Sequence, residues 1–191
     1  MRMLRIVRHS LTEGNERRLY YGTTDLPLSG KGVALCLARR GDFPRDASTR
    51  LGHSGMLRAR QTLQLVMGEG EAAAFPGLRE MDMGAFEMLS YEDLKDDSAY
   101  NAWVFGHDED TPIPGGESTR QVRERVAQAM AEILALSWQD LFIVAHGGSI
   151  AHAMGLLFPA EARSFYDWIP EALHGYAVEL EGEAPLRWRE I

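Results

Sequence analysis

Two short apolar runs that each stop at a histidine constrain the fold of this chain more than any other feature of its sequence. Met3 to Val7 is apolar except for Arg5 and is followed shortly by His9, and Leu141 to Ala145 is apolar throughout and is followed at once by His146. Apolar runs of this length without alternation are typical of strands that are buried on both faces, as in a parallel sheet covered by helices. The sequence therefore predicts two buried strands of one α/β sheet.

Helical patterns separate the predicted strands along the chain, which favours a largely parallel α/β sheet. The predicted helices span residues 29–40, 56–67, 117–136 and 150–157, and a further short strand spans residues 50–53. Residues 176–180 and 186–189 alternate with period two and predict an edge hairpin, which would end the sheet. Residues 88–114 are rich in acidic and aromatic side chains and predict an inserted helical segment placed as a lid.

The composition narrows the class of protein and of partner. The 191 residues contain no linker-like stretch and predict a single domain, 1–191. A net charge of −8 argues against nucleic-acid binding, which needs clustered cations, and favours a small-molecule partner. No apolar run approaches the ~20 residues that span a membrane, so we expect no membrane association. The single cysteine, Cys36, is compatible with a reducing, cytoplasmic location.

The two histidines suggest phosphate chemistry when they are considered with the basic residue beside them. Ligands of open parallel sheets bind beyond the carboxyl ends of the strands, where both His9 and His146 are predicted to lie. Arg8 adds a fixed cation next to His9. A histidine can attack phosphorus while guanidinium groups neutralise the transferred phosphoryl oxygens. The sequence has no GxxxxGK[ST] and no HExxH motif, so we expect neither a metal nor a cofactor.

Several separated motifs add a family resemblance. They are Arg8-His9-Ser10 with Thr12 and Asn15, Ser54 with Leu57 to Thr62, Glu80 within LREMDMGAFE, Gly115 to Ser118, and His146-Gly147-Gly148. In this order the motifs resemble the histidine phosphatase superfamily, also called phosphoglycerate mutase-like, and the stretch YYGTTDLPLS is similar to its α-ribazole phosphatases. The resemblance implies a single-domain, three-layer α/β/α sandwich with a mostly parallel sheet, a C-terminal edge hairpin and a short helical lid.

The resemblance also implies a role for individual residues. His9 would be the nucleophile that carries the phosphoryl group, Arg8, Arg58 and His146 would complete the phosphate pocket, and Glu80 would be the proton donor. Four further residues would bind the phosphate or nearby substrate oxygens: Asn15, Tyr21, Gly22 and Gly147. Glu87 and Glu117 are interpreted as structural groups rather than catalytic ones.

Four positions depart from the family pattern. Ser10 and Met88 stand where glycine is usual, Gly14 replaces a common tryptophan, and Gly55 replaces a frequent proline. None of these changes removes a charged residue of the implied pocket. Ser10 adds a β-carbon where backbone approaches the ligand, and the sequence leaves open whether it tightens the pocket or displaces the loop.

The expected activity is hydrolysis of a small phosphate ester, such as α-ribazole 5'-phosphate, without a metal ion. The first alternative is a phosphoglycerate mutase, which returns the phosphoryl group to a product hydroxyl. It is disfavoured because Lys95 is the one basic residue in positions 88–114 of the sequence, which leaves few cations for a substrate carboxylate. The second alternative is a silent protein that binds phospho-ligands without turnover. A homodimer is the default expectation for the assembly.

Overall fold

The central element of the computed structural model, which describes residues 1–106 and 108–191, is a six-stranded sheet. Its strands are β1 (Arg2–Arg8), β3 (Thr49–His53), β4 (Ala72–Ala74), β6 (Asp140–Ala145), β7 (Gly175–Glu181) and β8 (Ala184–Glu190). The spatial order is β4-β3-β6-β1-β7-β8. The first four strands in this order are parallel, and β7 and β8 form an antiparallel hairpin at one edge. The predicted mostly parallel sheet with an edge hairpin is confirmed.

Helices cover both faces of this sheet. The helices of the chain are α1 (Glu13–Glu16), α2 (Gly30–Ala38), α3 (Leu57–Met67), α4 (Tyr91–Leu94), α5 (Ser98–Phe105), α6 (Thr119–Ala135) and α7 (Gly147–Leu157). One apolar cluster joins α6 and α7 to the sheet, and another joins α2 and α3 to its opposite face. The chain is therefore the predicted three-layer α/β/α sandwich.

The pleat of β6 explains why its sequence is apolar at every position after Asp140. Ile143 faces the α6–α7 cluster, whereas Phe142 and Val144 face the α2–α3 cluster. The side chains of a strand alternate between faces, so a strand covered on both sides has no position open to water. Arg5, which interrupts the apolar run of β1, is buried and donates to Asp140 and to the Pro44 carbonyl.

The segment between β4 and α6 forms a smaller structure together with the short strand that follows α1. The strands β2 (Leu19–Tyr20) and β5 (Leu89–Ser90) pair antiparallel, and α4 and α5 follow β5. A separate apolar cluster holds this part together around Phe86, Leu94, Tyr100 and Ile113. The predicted helical character of residues 88–114 is confirmed for their described part, while His107 within this range lies outside the described residues. The role of the segment as a lid stays a prediction.

Two predicted helix boundaries need correction, and one short strand of the sheet was not predicted. Helix α7 begins at Gly147, three positions before the predicted start at residue 150, because His146, directly after β6, is its N-cap. Helix α2 ends at Ala38 rather than at residue 40. Strand β4 was not predicted, because its Ala72–Ala74 sequence lacks the β-branched and aromatic residues that favour strands. Within the described part of the chain, no helix is both long and apolar enough to cross a membrane.

Candidate active site

The carboxyl ends of three adjacent parallel strands bring the central residues of the site together. His9 follows β1, His146 follows the neighbouring β6, and Ser54 follows β3 on the other side of β6. The register pairs Arg8 with Ala145, so the two histidines emerge side by side, and their ring centroids lie 5.0 Å apart. Helix α2 and helix α7 lie on opposite faces of the sheet at this point, which opens a crevice at the strand ends.

The His9 imidazole is held neutral and in one tautomer. Its Nδ1 lies 2.6 Å from the Ser10 carbonyl oxygen, which can only accept, so Nδ1 carries the proton and donates. The pKa of His9 is lowered to about 3, first by burial and then by the positive charge of Arg58, with a smaller contribution from Arg8. A neutral ring protonated on Nδ1 leaves the lone pair on Nε2, and that lone pair is a nucleophile.

The His146 imidazole is fixed in the opposite tautomer. Arg58 Nε donates to His146 Nδ1 over 3.3 Å, so Nδ1 is unprotonated and Nε2 carries the proton toward Ser54 Oγ, 2.7 Å away. Burial, followed by the electrostatic effects of the neighbouring His9 and Arg58, holds the pKa of His146 well below its usual range. His146 is thus a neutral and immobile group that orders Arg58 and Ser54 beside His9.

Arg58 is fully buried in the first turn of α3, yet it remains a hydrogen-bond donor toward the site. Its Nη1 donates to the Thr24 carbonyl at 3.0 Å and its Nη2 to the Gly22 carbonyl at 2.8 Å. Its guanidinium lies 4.9 Å from the Tyr21 ring centroid, a cation–π distance. With the bond to His146, three of its five N–H groups have acceptors within the protein, and Asp25 Oδ1 lies 4.0 Å from Nη1.

The second guanidinium of the site belongs to Arg8. Its Nη1 donates to the Pro170 carbonyl at 2.9 Å, which ties the strand end to the loop before β7. The Arg8 group lies flat against Gly147, where an added β-carbon would stand 3.4 Å from Arg8 Cζ. Gly147 is the first residue of α7, whose amino terminus carries partial positive charge. Arg8 and the α7 terminus thus concentrate positive charge at one point of a protein with a net charge of −8.

Glu80 lies against the same helix terminus. Its Oε2 accepts from the Gly148 amide at 3.2 Å and its Oε1 from its neighbour Met81 at 3.0 Å. A β-carbon on Gly148 would lie 2.5 Å from Glu80 Oε1, so this approach requires glycine. The Glu80 carboxyl group therefore contacts Gly148, the residue that follows Gly147 in α7, and Arg8 lies against Gly147.

Asn15, Tyr21 and Gly22 form the wall next to Arg58. Asn15 Oδ1 accepts from the Tyr21 hydroxyl at 2.9 Å and from Thr12. Gly22 gives its carbonyl to Arg58 and its amide to Glu87. A β-carbon at Gly22 would lie 1.6 Å from the Met81 carbonyl oxygen, so this loop packs directly on the loop of Glu80. The structure thus brings all nine predicted site residues into one contiguous cluster, while their roles toward a ligand stay predictions.

The departures from the family pattern have local explanations. The Ser10 side chain is directed at α2, where its Oγ donates to the Gly32 carbonyl at 2.8 Å, so it anchors the loop of His9. Gly14 leaves room for the Tyr21 ring, since a β-carbon there would lie 2.7 Å from Tyr21 Cε1. Gly55 has φ +93, which proline cannot adopt. Met88 occupies the left-handed region at φ 63 without being glycine.

The structure also assigns contacts to residues for which the sequence indicated no role at the site. Ser54 contacts His146, and Thr62 Oγ1 accepts from the Ser10 amide and donates to the Arg58 carbonyl. Arg125, on the amphipathic helix α6, donates to the Glu80 carbonyl. Ser54 and Thr62 belong to the family motifs, which was an available signal. No sequence signal pointed to Arg125, because a helical pattern alone does not reveal which loop packs beside a polar position of the helix.

Among residues 1–106 and 108–191, no group of three or more His, Cys, Asp or Glu side chains has a geometry suited to a metal ion. The polar groups that converge on the site are mainly hydrogen-bond donors, which fit an anion.

Comparisons with known proteins agree with this geometry. The model of the histidine phosphatase superfamily (branch 1) matches residues 4–188. A 2,3-bisphosphoglycerate-dependent phosphoglycerate mutase of Methylobacterium radiotolerans is 32% identical over 166 residues, covering 78% of this chain and 76% of its own.

Two solved structures share the fold over nearly the whole length. The α-ribazole phosphatase of Shigella flexneri has a TM-score of 0.85 at 24% identity and covers 96% of this chain and 93% of its own. A phosphoglycerate mutase of Thermus thermophilus has a TM-score of 0.70 at 27% identity and covers 97% of both chains.

Proposed function

The chain belongs to the histidine phosphatase superfamily, branch 1, and on that premise we propose that it is a metal-independent phosphomonoesterase that works through a phosphohistidine on His9. The observation that carries the proposal is the state of His9. Its buried ring is neutral, donates through Nδ1 to the Ser10 carbonyl, and so carries an unprotonated Nε2 within the positive field of Arg58 and Arg8. Nucleophilic attack on phosphorus requires such a lone pair.

The residues around His9 supply the charge that phosphoryl transfer requires. The guanidinium groups of Arg58 and Arg8 would bind the equatorial phosphoryl oxygens. The backbone amide of Gly147 at the start of α7 would add a donor from the helix terminus. Asn15 would present its Nδ2 amide, since its Oδ1 is held by Tyr21 and Thr12. Two fixed guanidinium groups provide cationic charge at the phosphoryl group without a metal ion.

Glu80 is the proposed proton donor and acceptor in the two halves of the reaction. In the first step His9 Nε2 forms a bond to phosphorus, the bond from phosphorus to the ester oxygen breaks, and that oxygen takes the proton of the Glu80 carboxyl group. In the second step the Glu80 carboxylate takes a proton from water as the water oxygen attacks phosphorus and the bond to His9 breaks. The products are an alcohol and inorganic phosphate, and His9 is regenerated.

The substrate proposed first is α-ribazole 5'-phosphate or a similar small phosphorylated metabolite. The support is the YYGTTDLPLS sequence, which contains Tyr21 and Gly22 of the pocket wall and is similar to α-ribazole phosphatases; the α-ribazole phosphatase of Shigella flexneri shares the fold. At 24% identity that structure speaks for the fold alone, so the substrate depends on the sequence similarity.

A phosphoglycerate mutase is the second candidate, because the curated relative with 32% identity carries that name. The cations around the inserted segment argue against it. Lys95 pairs with Glu92 at 2.6 Å, Arg123 pairs with Glu109 at 2.7 Å, and Arg120 pairs with Asp110. Each of these cations is already neutralised, so a glycerate carboxylate would have to displace an existing partner.

The first experiment is hydrolysis of p-nitrophenyl phosphate in excess EDTA by the wild type and by His9→Ala, with phosphohistidine sought by mass spectrometry. We expect EDTA-resistant turnover and a phosphorylated His9 in the wild type, and neither in His9→Ala. The control is His174→Ala, since the side chain of His174 is exposed outside the cluster. Loss of turnover in EDTA would contradict the metal-free mechanism, and conversion of 3-phosphoglycerate to 2-phosphoglycerate would favour the mutase. Phosphate-ester binding without turnover would favour the silent binder.

The second experiment tests Glu80 with Glu80→Gln. A general acid contributes about a hundred- to ten-thousand-fold, and its loss weighs most on esters with poor leaving groups. We therefore expect a large loss of kcat/KM for an alkyl phosphate and a small loss for p-nitrophenyl phosphate. Equal losses on both esters would show that Glu80 has another role.

A further inference from the structure

Glu87 is a half-buried carboxylate that organises the loop beside the phosphate pocket. Its Oε1 accepts from the Gly22 amide at 2.7 Å and the Thr23 amide at 2.9 Å. Its Oε2 accepts from the Thr24 amide at 3.2 Å and the Thr24 hydroxyl at 2.5 Å. A carboxylate with this many donors fixes three successive residues of a loop that has no regular secondary structure.

That loop in turn aims Arg58. Gly22 and Thr24 present their carbonyls to Arg58 Nη2 and Nη1, while Glu87 holds the amides of the same two residues. The guanidinium can point its remaining N–H groups at a ligand only while both carbonyls stay in place. The line of contact therefore runs from Glu87 through the loop to Arg58.

Glu117 is a second carboxylate that organises a loop of the site, in this case the loop that carries Glu80. Its Oε1 accepts from Arg79 Nη2 at 2.9 Å and from Arg125 Nε at 2.7 Å. Its Oε2 accepts from the Asp82 amide at 2.9 Å and from Arg125 Nη2 at 2.8 Å. Arg79 and Asp82 flank Glu80 in the chain, so Glu117 holds both sides of that loop.

Arg125 extends this second network to Glu80 itself. Its Nη2 donates to the Glu80 carbonyl at 3.0 Å and its Nη1 to the Arg79 carbonyl at 2.8 Å. Its bidentate pair with Glu117 orients the guanidinium toward these carbonyls. The backbone that carries the Glu80 carboxyl group is thus fixed from α6.

Both carboxylates are ionised in the folded protein. Burial opposes ionisation of each, yet the hydrogen bonds from Thr24, Thr23 and Gly22 lower the pKa of Glu87 below its ordinary value. The hydrogen bonds from Arg125 and Asp82 lower the pKa of Glu117 in the same way. Each carboxylate therefore accepts with full negative charge at neutral pH.

We infer that Glu87 and Glu117 are positioning residues with separate tasks: Glu87 places the guanidinium that binds the phosphoryl group, and Glu117 places the acid that serves the leaving oxygen. The inference rests on the proposed roles of Arg58 and Glu80. The transferred phosphoryl group is common to all substrates, so displacement of Arg58 should lower kcat/KM for every ester by the same factor. The leaving group differs between substrates, so displacement of Glu80 should lower kcat/KM most for esters whose leaving group is poor and depends on protonation.

The test compares Glu87→Gln with Glu117→Gln, and each variant is the control for the other. The readouts are the Kd of inorganic phosphate by calorimetry and the kcat/KM for p-nitrophenyl phosphate and for an alkyl phosphate. Misplacing a catalytic group by about 1 Å costs roughly a hundredfold, so we expect losses of up to about a hundredfold. Glu87→Gln should weaken phosphate binding and lower kcat/KM for both esters by the same factor. Glu117→Gln should leave the Kd of phosphate unchanged. It should lower kcat/KM for the alkyl phosphate at least about tenfold more than kcat/KM for p-nitrophenyl phosphate.

Milder variants keep the test decisive if a glutamine variant fails to fold. Thr24→Val removes one donor to Glu87, and Arg79→Met removes one donor to Glu117, so each should give the matching pattern at smaller amplitude. An unchanged phosphate Kd in the Glu87 series, or equal losses on both esters in the Glu117 series, overturns that half of the inference. Failure of the proposed function has a different signature, namely a wild type that forms no phosphohistidine even though the Glu87 series still weakens phosphate binding.

Discussion

Arg58 illustrates why some residues of the site cannot be exchanged for a residue of equal charge. It is fully buried, and its planar guanidinium reaches the His146 ring and two backbone carbonyls at once. A lysine has one compact ammonium group and cannot reproduce this fork. The same positive charge would then leave buried acceptors without donors.

We therefore expect Arg58→Lys to lower the free energy of unfolding by at least about 2 kcal/mol and kcat/KM by about a hundredfold or more. Urea unfolding and p-nitrophenyl phosphate hydrolysis measure the two effects. Arg60→Lys is the matched control, because Arg60 is exposed on the same helix and should stay within about 0.5 kcal/mol of the wild type. A fully active Arg58→Lys would mean that charge alone suffices at this position.

The positions that follow from chain order could be predicted from the sequence, whereas the contacts that follow from loop packing could not. His9 and His146 could be paired because each ends a predicted buried strand of one parallel sheet. Glu87 and Glu117 could not be connected to Arg58 and Glu80, because no local pattern states that residues 22–24 pack against residue 87. Ser10 was left open for the same reason, and the structure directs its side chain away to Gly32.

At the scale of elements, the loop between β3 and α3 depends on a glycine where the family frequently has proline. Gly55 has φ +93 and donates its amide to His53 Nδ1 at 2.9 Å. Proline fixes φ near −65° and has no amide hydrogen. The loop sets the start of α3, which carries Arg58 in its first turn.

We expect Gly55→Pro to cost about 3 kcal/mol or more and Gly55→Ala about 1 kcal/mol. Alanine is the matched control because its β-carbon would meet open space, so its cost is that of the left-handed backbone alone. Chemical denaturation gives both values. A proline variant as stable as the wild type would show that this loop takes a negative φ in solution.

The elements themselves were largely predictable, and the exceptions have physical causes. The buried strands β1 and β6 are nearly continuous apolar runs and the amphipathic helices have a strong hydrophobic period, and both patterns match elements of the structure. Strand β4 has no such period and exists because its backbone pairs with β3. The pairing of β2 with β5 joins residues far apart in the chain, and two-residue strands leave no pattern to detect.

For the whole molecule, the histidines with lowered pKa values make the free energy of unfolding decrease as the pH falls. Burial, with nearby cations, lowers the pKa of His9 to about 3 and of His152 to about 4, and also lowers that of His146. In the unfolded chain these rings take up protons near pH 6.5, whereas in the folded protein they do not. The stabilisation is therefore fully present above about pH 6.5 and is lost as the pH falls toward the folded-state values.

We expect the free energy of unfolding to decrease between pH 6.5 and pH 5, with His9 contributing up to about 1.4 kcal/mol per pH unit. Urea unfolding at pH 7.5, 6.0 and 5.0 measures the slope. His9→Asn should flatten the slope below pH 6.5 and leave the slope above it unchanged. An unaltered slope below pH 6.5 would mean that His9 is protonated in the folded protein.

The distance between the two central histidines has a consequence for how such an enzyme can diversify. Neighbouring strands lie about 4.8 Å apart in any sheet, and the His9 and His146 rings, at the ends of β1 and β6, lie 5.0 Å apart. The backbone pairing of β1 with β6 sets the two residues side by side, and contacts with Ser10, Arg58 and Ser54 then orient the rings. Over evolutionary time the surrounding loops can be exchanged for new specificities while the geometry of the transferring step is kept. On the proposed mechanism, relatives that share this pair of histidines can therefore keep the phosphoryl-transfer step while their substrates diverge.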